Sequence, residues 1–356
     1  MNLQARLLGL VARRFLPPAA LALFAAAMAL AFFLPWSPSN VGGVGELSQE
    51  VNAGLAREGV WLTALAVALP WFCARACWCV RQWRQGDGDW LGTGVLSRAN
   101  VAACHLCGAG LALAIVLVPF AIAAELRAGS VGPHLRWIAD LKVSPVALLT
   151  AADRASISVD PPSRASVLLA RFVIAAPDSG GPQARLRCDV AREHAADFSL
   201  DLLVTASTPL EIELKGGDAA VHLTFQRVGP GAAVVLEDSR LQCFEGNPAR
   251  WSIALALFLH AWLAIGVACA IAWGSAIWTS PFTAMLCVFV AQACAWLGLN
   301  LSLAWPSVGL RDALELCSDG LAPGYPAWMT WIGALLAGAT AVGLAALQRD
   351  LWRRGA

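Results

Sequence analysis

The sequence predicts a polytopic α-helical membrane protein of six transmembrane helices, three and three, with a β-sandwich or jelly-roll-like domain inserted between the triplets. Three observations carry this. The first is composition: 58% of the 356 residues are hydrophobic and 14% are charged, with a mean hydropathy of +0.63. A soluble domain is nearer half apolar and a quarter charged. The second is that six stretches approach the roughly 20 mostly apolar residues that a spanning helix needs. The third is the polar centre, 125–250, which holds both lysines, Lys142 and Lys215, with many Asp, Glu and Arg and several alternating runs. The chain therefore divides into 1–124, 125–250 and 251–356.

The first span is read at about Phe15 to Trp36. Arg6, Arg13 and Arg14 ahead of it could be a signal-peptide n-region, but the apolar core is long and Pro35-Trp36-Ser37-Pro38 makes a poor cleavage site, so the helix is read as uncleaved. The second span is about Gly59 to Val80, with Arg75 able to snorkel near its inner end. The third, about Ala99 to Ala124, has no charge. The others are about Trp251 to Gly274, Pro281 to Trp305 and Ala327 to Leu347. Trp36, Trp61, Trp251, Trp305 and Trp328 fall near these ends, where indoles favour the membrane interface.

Arginine bias sets the orientation. Arg6, Arg13 and Arg14 precede the first span, Arg81, Arg84 and Arg98 follow the second, and Arg349, Arg353 and Arg354 follow the sixth. The loop after the first span instead carries Glu46, Glu50 and Glu58 against Arg57, and the loop after the fifth carries Asp312, Glu315 and Asp319 against Arg311. The positive-inside rule puts both termini and the second loop in the cytoplasm and the central domain on the other side. A net charge of +1 excludes a strongly basic nucleic-acid binder.

The central domain reads as β. Leu210 to Lys215 alternates apolar and polar, Gly216-Gly217-Asp218 makes a turn, and Val221 to Gln226 alternates again, the signal of a hairpin. Further strands are expected at Ser156 to Val159, Ser166 to Ile174, Arg185 to Val190, Phe198 to Thr205 and Ala233 to Phe244. Alternation buries one face and wets the other, as in a sandwich. Cys188 and Cys243, the cysteines of this domain, lie on expected strands and are read as a disulfide or as two buried thiols with equal weight.

Catalytic signatures are absent. The chain has no Walker A loop, GxSxG elbow or HExxH helix. Cys104-His105-Leu106-Cys107 has metal-like spacing without a second ligand pair, and Cys73, Cys77 and Cys79 read as packing, so no metal or cofactor is expected. His260, Gln292 and Asn300 sit in apolar helices, where interhelical hydrogen bonding is favoured over a transport role. Without a membrane carboxylate pair or an inverted repeat, a secondary transporter has little support. The polar segment Arg81 to Arg98 is too long for a tight turn. It is read either as a solvated connector, the favoured reading, or as a surface helix that meets a cytoplasmic partner.

Three stretches carry a resemblance that covers nearly the whole chain. They are Ala68-Leu-Pro70-Trp-Phe-Cys-Ala74, the polar loop ending Gly94-Val-Leu-Ser97 and running into the helix with Pro119, and Gly320-Leu-Ala-Pro323-Gly-Tyr-Pro-Ala-Trp328 before the last apolar helix. With the order of helices and β domain, the chain resembles the LptF/LptG (YjgP/YjgQ) family of lipopolysaccharide export permeases. The resemblance implies a half-permease in the inner, cytoplasmic membrane, paired with a second permease subunit. It implies a separate cytoplasmic ATPase dimer docked on the coupling loop, here Arg81, Arg84, Asp87, Asp89, Ser97 and Arg98. It further implies a lipid substrate passed to a periplasmic β-jelly-roll bridge protein. The family's coupling acid is a Glu where this chain offers Asp87 or Asp89, and Phe15 to Ser39 lacks the basic residues that family members can carry near the outer end of helix one. The alternative is a membrane-anchored envelope scaffold or sensor whose β domain binds a periplasmic partner.

Overall fold

The computed structural model describes residues 3–33, 49–82, 98–129, most of 135–246, 248–296, 306–327 and single positions between 331 and 338. The chain forms two compact units, a helical one from Met1–Gly132 with Ala249–Ala356, and a β one from Pro133–Pro248.

The helical unit contains α1 (Leu3–Phe15), α2 (Pro18–Phe33), α3 (Gln49–Gln82), α4 (Arg98–Ala128), α5 (Arg250–Trp278), α6 (Pro281–Trp296) and α7 (Pro306–Ser318). Three helices are long and apolar enough to cross a membrane: Val51–Gln82, Ala103–Ala128 and Arg250–Trp278. The pair Leu8–Phe15 and Pro18–Phe33, bent by 56°, adds a fourth if it is one span. The expected fifth span appears as a shorter apolar helix, Pro281–Cys294, and most of the expected sixth lies outside the described residues. Among the described residues the count is therefore three or four, not six.

Helix α5 is the centre of this unit, with eighteen buried residues from Ile253 to Ile277. A helix buried on nearly every side must be apolar all round, and this one has no acidic residue. Helix α2 buries Ala20, Phe24, Ala27 and Ala31, the i, i+4, i+7, i+11 stripe of one face. Its Phe24 ring lies 6.3 Å from those of Trp71 and Phe72 on α3. Helix α4 leaves Leu111, Ile115, Val118, Ile122 and Leu126 exposed along the face away from that core, which suits contact with lipid. Trp61 departs from expectation. It is fully buried within α3 rather than at an interface, because α3 starts ten residues before the expected span.

Among the described residues the β unit has nine strands: β1 (Leu135–Lys142), β2 (Ala147–Leu148), β3 (Arg154–Val159), β4 (Val167–Ala176), β5 (Gln183–Arg192), β6 (Phe198–Thr205), β7 (Leu210–Glu213), β8 (Val221–Arg227) and β9 (Ala233–Gly246). One antiparallel sheet runs β1-β9-β4-β7, with β2 also on β9. The other runs β3-β8-β5-β6. Leu168, Leu241 and Cys243 from the first and Leu186, Cys188 and Phe225 from the second share one core, with Phe172 and Phe225 edge to face at 5.3 Å.

The expected hairpin between Leu210–Lys215 and Val221–Gln226 does not form. β7 pairs with β4 in one sheet, and β8 pairs with β3 and β5 in the other. The alternation was sound, since Ile212, Val221, Leu223 and Phe225 are all buried. Alternation says which face is buried and nothing about the partner strand. Strand β1 escaped the sequence reading because its register shifts between Trp137 and Ala139, which breaks the period of two.

Candidate functional site

One cluster of charges in the helical unit lies where α3 starts, α4 ends and α5 starts. Arg57 lies two turns into α3 and is 1% exposed, and Glu125, in the last turn of α4, is 0% exposed. The Arg57 guanidinium donates from Nε to Glu125 Oε1 at 2.9 Å and from Nη2 to Oε2 at 3.0 Å. This two-pronged fit is the strongest geometry an arginine offers a carboxylate. Arg250, the first residue of α5, donates from Nε to Glu125 Oε2 at 3.2 Å and from Nη2 to the Glu125 carbonyl. Its side chain is 37% exposed, so this edge of the cluster is the open one. One carboxylate thus serves two guanidiniums, and the three groups carry a net positive charge.

The sequence assigns these residues elsewhere, Arg57 to a loop and Glu125, Arg127 and Arg250 to the central domain. All four belong to helices of the helical unit, because α3, α4 and α5 each run beyond their apolar stretch. Next to the cluster, α3 and α7 touch backbone to backbone. Gly54 is one turn before Arg57, and a Cβ there would overlap the Cys317 carbonyl. Arg127 reaches from α4 to the Ala31 carbonyl near the end of α2. The Arg127 guanidinium therefore stands at the end of α2.

A second polar point lies on α5. His260 Nε2 is 3.1 Å from the Gly324 carbonyl, and the ring packs against Gly309 of α7. The bond ties α5 to the non-helical segment after α7, so the partner is a loop carbonyl rather than the neighbouring helix expected for His260. Gln292 is half-buried on α6, and Asn300 lies outside the described residues.

Of the expected coupling residues, Arg84, Asp87, Asp89 and Ser97 lie outside the described residues. Arg81 is exposed at the end of α3 with its guanidinium 5.3 Å from the centre of the Trp78 ring, and Arg98 opens α4. His105 stacks on Trp273 at 6.2 Å rather than facing a ligand set with Cys104 and Cys107. Among the described residues no group of three His, Cys, Asp or Glu could hold a metal. Cys77 and Cys269 donate to the Ala272 and Phe72 carbonyls and tie α3 to α5. Cys188 on β5 and Cys243 on β9 are free and buried on opposite sheets. Burial pushes the Cys188 thiol up to about 12, with Asp189 adding to it, and the Cys243 thiol up to about 11, with Asp140 adding.

Chemically, the Arg57–Glu125–Arg250 cluster is a holding device. The carboxylate is occupied on both oxygens by guanidinium donors. It fixes three helices at one level and presents positive charge at the Arg250 edge.

No known protein family matches the chain, and no curated protein does. Among solved structures, a family GH115 4-O-methyl-alpha-glucuronidase with specificity for decorated arabinogalactans aligns at a TM-score of 0.21 and 12% identity, over 63% of this chain. This chain spans 38% of that enzyme's chain, and a likeness this faint carries no argument about fold or activity.

Proposed function

We propose that the chain is a half-permease of an ABC-type lipid exporter in the cytoplasmic membrane. In this reading both termini are cytoplasmic and the sandwich stands on the opposite side. A separate ATPase dimer drives it through the 81–98 loop, a second permease subunit completes the lipid path, and the sandwich hands a lipopolysaccharide-like lipid to a periplasmic bridge protein. The supporting observation is the build: a two-sheet β unit inserted between sets of apolar helices that share a core with one another. The resemblance of the sequence to the LptF/LptG family supplies the rest. The buried Arg57–Glu125 pair favours this reading over a membrane anchor for a scaffold or sensor, since an anchor has no use for charges that cost several kcal/mol each to desolvate.

Gentle detergent extraction of the tagged chain from its native membrane tests the proposal. The expected result is co-purification of an ATPase subunit and a second permease, with the ATPase lost when Gly86 to Gly94 is deleted. A preparation that contains neither protein overturns it.

A further inference from the structure

The break between α1 and α2 follows from covalent structure. Pro17 and Pro18 have no amide hydrogen, so the carbonyls of Arg13 and Arg14, four residues earlier, lose their helical donors. The helix stops at Phe15, restarts at Pro18 and turns by 56°. In an apolar setting a carbonyl stripped of its donor must find another.

Two of the carbonyls at this break find one on α3. Arg75 Nη2 donates to the Arg14 carbonyl, and Trp71 Nε1 donates to the Phe15 carbonyl at 2.9 Å. Trp71 and Arg75 are four residues apart and so share one face of α3. Phe72 stacks on Phe15 at 5.7 Å with 19° between the planes, closing the same contact with apolar surface. On its other side α1 meets α4 closely: a Cβ on Gly108 would come within 2.7 Å of Val11 Cγ1. The far end of α2 repeats the device. The Ala31 carbonyl, whose helical donor would be Pro35, accepts from Arg127.

We propose that Trp71 and Arg75 are a latch that sets the angle of a hinge at Leu16-Pro17. The local chain permits the bend, and α3 decides it. Helix α3 continues only about two turns past Arg75, to Gln82. A shift of that end moves both donors and with them the direction of α1. This goes beyond the exporter reading and does not depend on it.

Pulsed electron spin resonance on the full chain tests it, with labels at Leu10→Cys and Leu30→Cys, both on exposed positions. The accessible native thiols are removed as Cys107→Ser, Cys287→Ser and Cys294→Ser. At 1.5 Å per residue the two sites lie about 27 Å apart across the bend and about 30 Å apart in a straight helix. The native chain should give one narrow distribution near the shorter value. Arg75→Met should at least double its width, and Trp71→Phe should widen it less. Pro17→Ala with Pro18→Ala returns amides to the Arg13 and Arg14 carbonyls, so in that background the distance should lengthen by about 3 Å, and Arg75→Met should no longer matter. An unchanged width in both latch variants overturns the proposal, as does equal broadening with and without the two proline replacements. Should Arg75→Met fail to fold, Trp71→Phe compared in the two backgrounds gives the same decision.

Discussion

Replacing Glu125 by glutamine should destabilise the helical unit more than removing either of its arginines. Glu125 is fully buried and accepts three side-chain hydrogen bonds, two from Arg57 and one from Arg250. Taking its charge away strands the Arg57 guanidinium at 1% exposure and leaves Arg250 half-served. Breaking a buried pair from one side costs about 3–5 kcal/mol, and the two-arginine arrangement puts Glu125→Gln at the upper end. Arg57→Met should cost about 3 kcal/mol, because Arg250 still serves the carboxylate. Arg250→Met, at a partly exposed edge, should cost about 1–2 kcal/mol. A unit of this size loses about 2–4 °C of melting temperature per kcal/mol. Glu125→Gln should therefore melt roughly 8–20 °C lower and Arg57→Met roughly 6–12 °C lower. The pair Arg57→Met with Glu125→Met should melt above the summed losses of Arg57→Met and Glu125→Gln, since a hydrophobic replacement of both partners leaves no fully buried charge stranded and only the partly exposed Arg250 loses its partner. Thermal unfolding in detergent at one fixed scan rate, read by fluorescence of the many tryptophans, measures all four variants. A Glu125→Gln protein within about 2 °C of the native midpoint would refute the reasoning, and so would an Arg57→Met protein that melts lower than Glu125→Gln.

Two further outcomes follow from packing. Gly54→Ala should cost at least about 1–3 kcal/mol despite its small size, because the new Cβ meets the Cys317 backbone, which no rotamer can move, whereas Gly266→Ala, with open space around it, should be close to neutral; expression level and melting midpoint check both. Cys188 and Cys243 should resist maleimide at pH 8 while the β unit is folded, since burial holds them as thiols with values pushed up to about 12 and about 11, and should react once denaturant opens it; fast labelling of the folded protein would contradict their placement.

The residues that were hardest to place from sequence are the ones that do the most in the structure. Alternation in Val221–Arg227 and Arg154–Val159 revealed those strands because a period of two is a local property. Their pairing with each other was hidden, since it joins segments more than sixty residues apart, and the nearer glycine turn pointed to a different partner. The apolar spans were legible for the same local reason, while Arg57, Glu125 and Arg250 were not. A hydropathy reading counts each charge as a cost and ends the helix there, but opposite charges on facing helices offset one another's cost, and a helix can continue past them. The prolines show the same limit from the other side. Pro17-Pro18 marks where a helix must break, yet nothing local says which side chain will serve the freed carbonyls. Arg75, expected to snorkel, and Arg127, expected in the central domain, instead give their guanidiniums to the backbone of α1 and α2. A charged residue in an apolar helix is therefore best interpreted after asking which carbonyl, on which neighbouring helix, has lost its own donor.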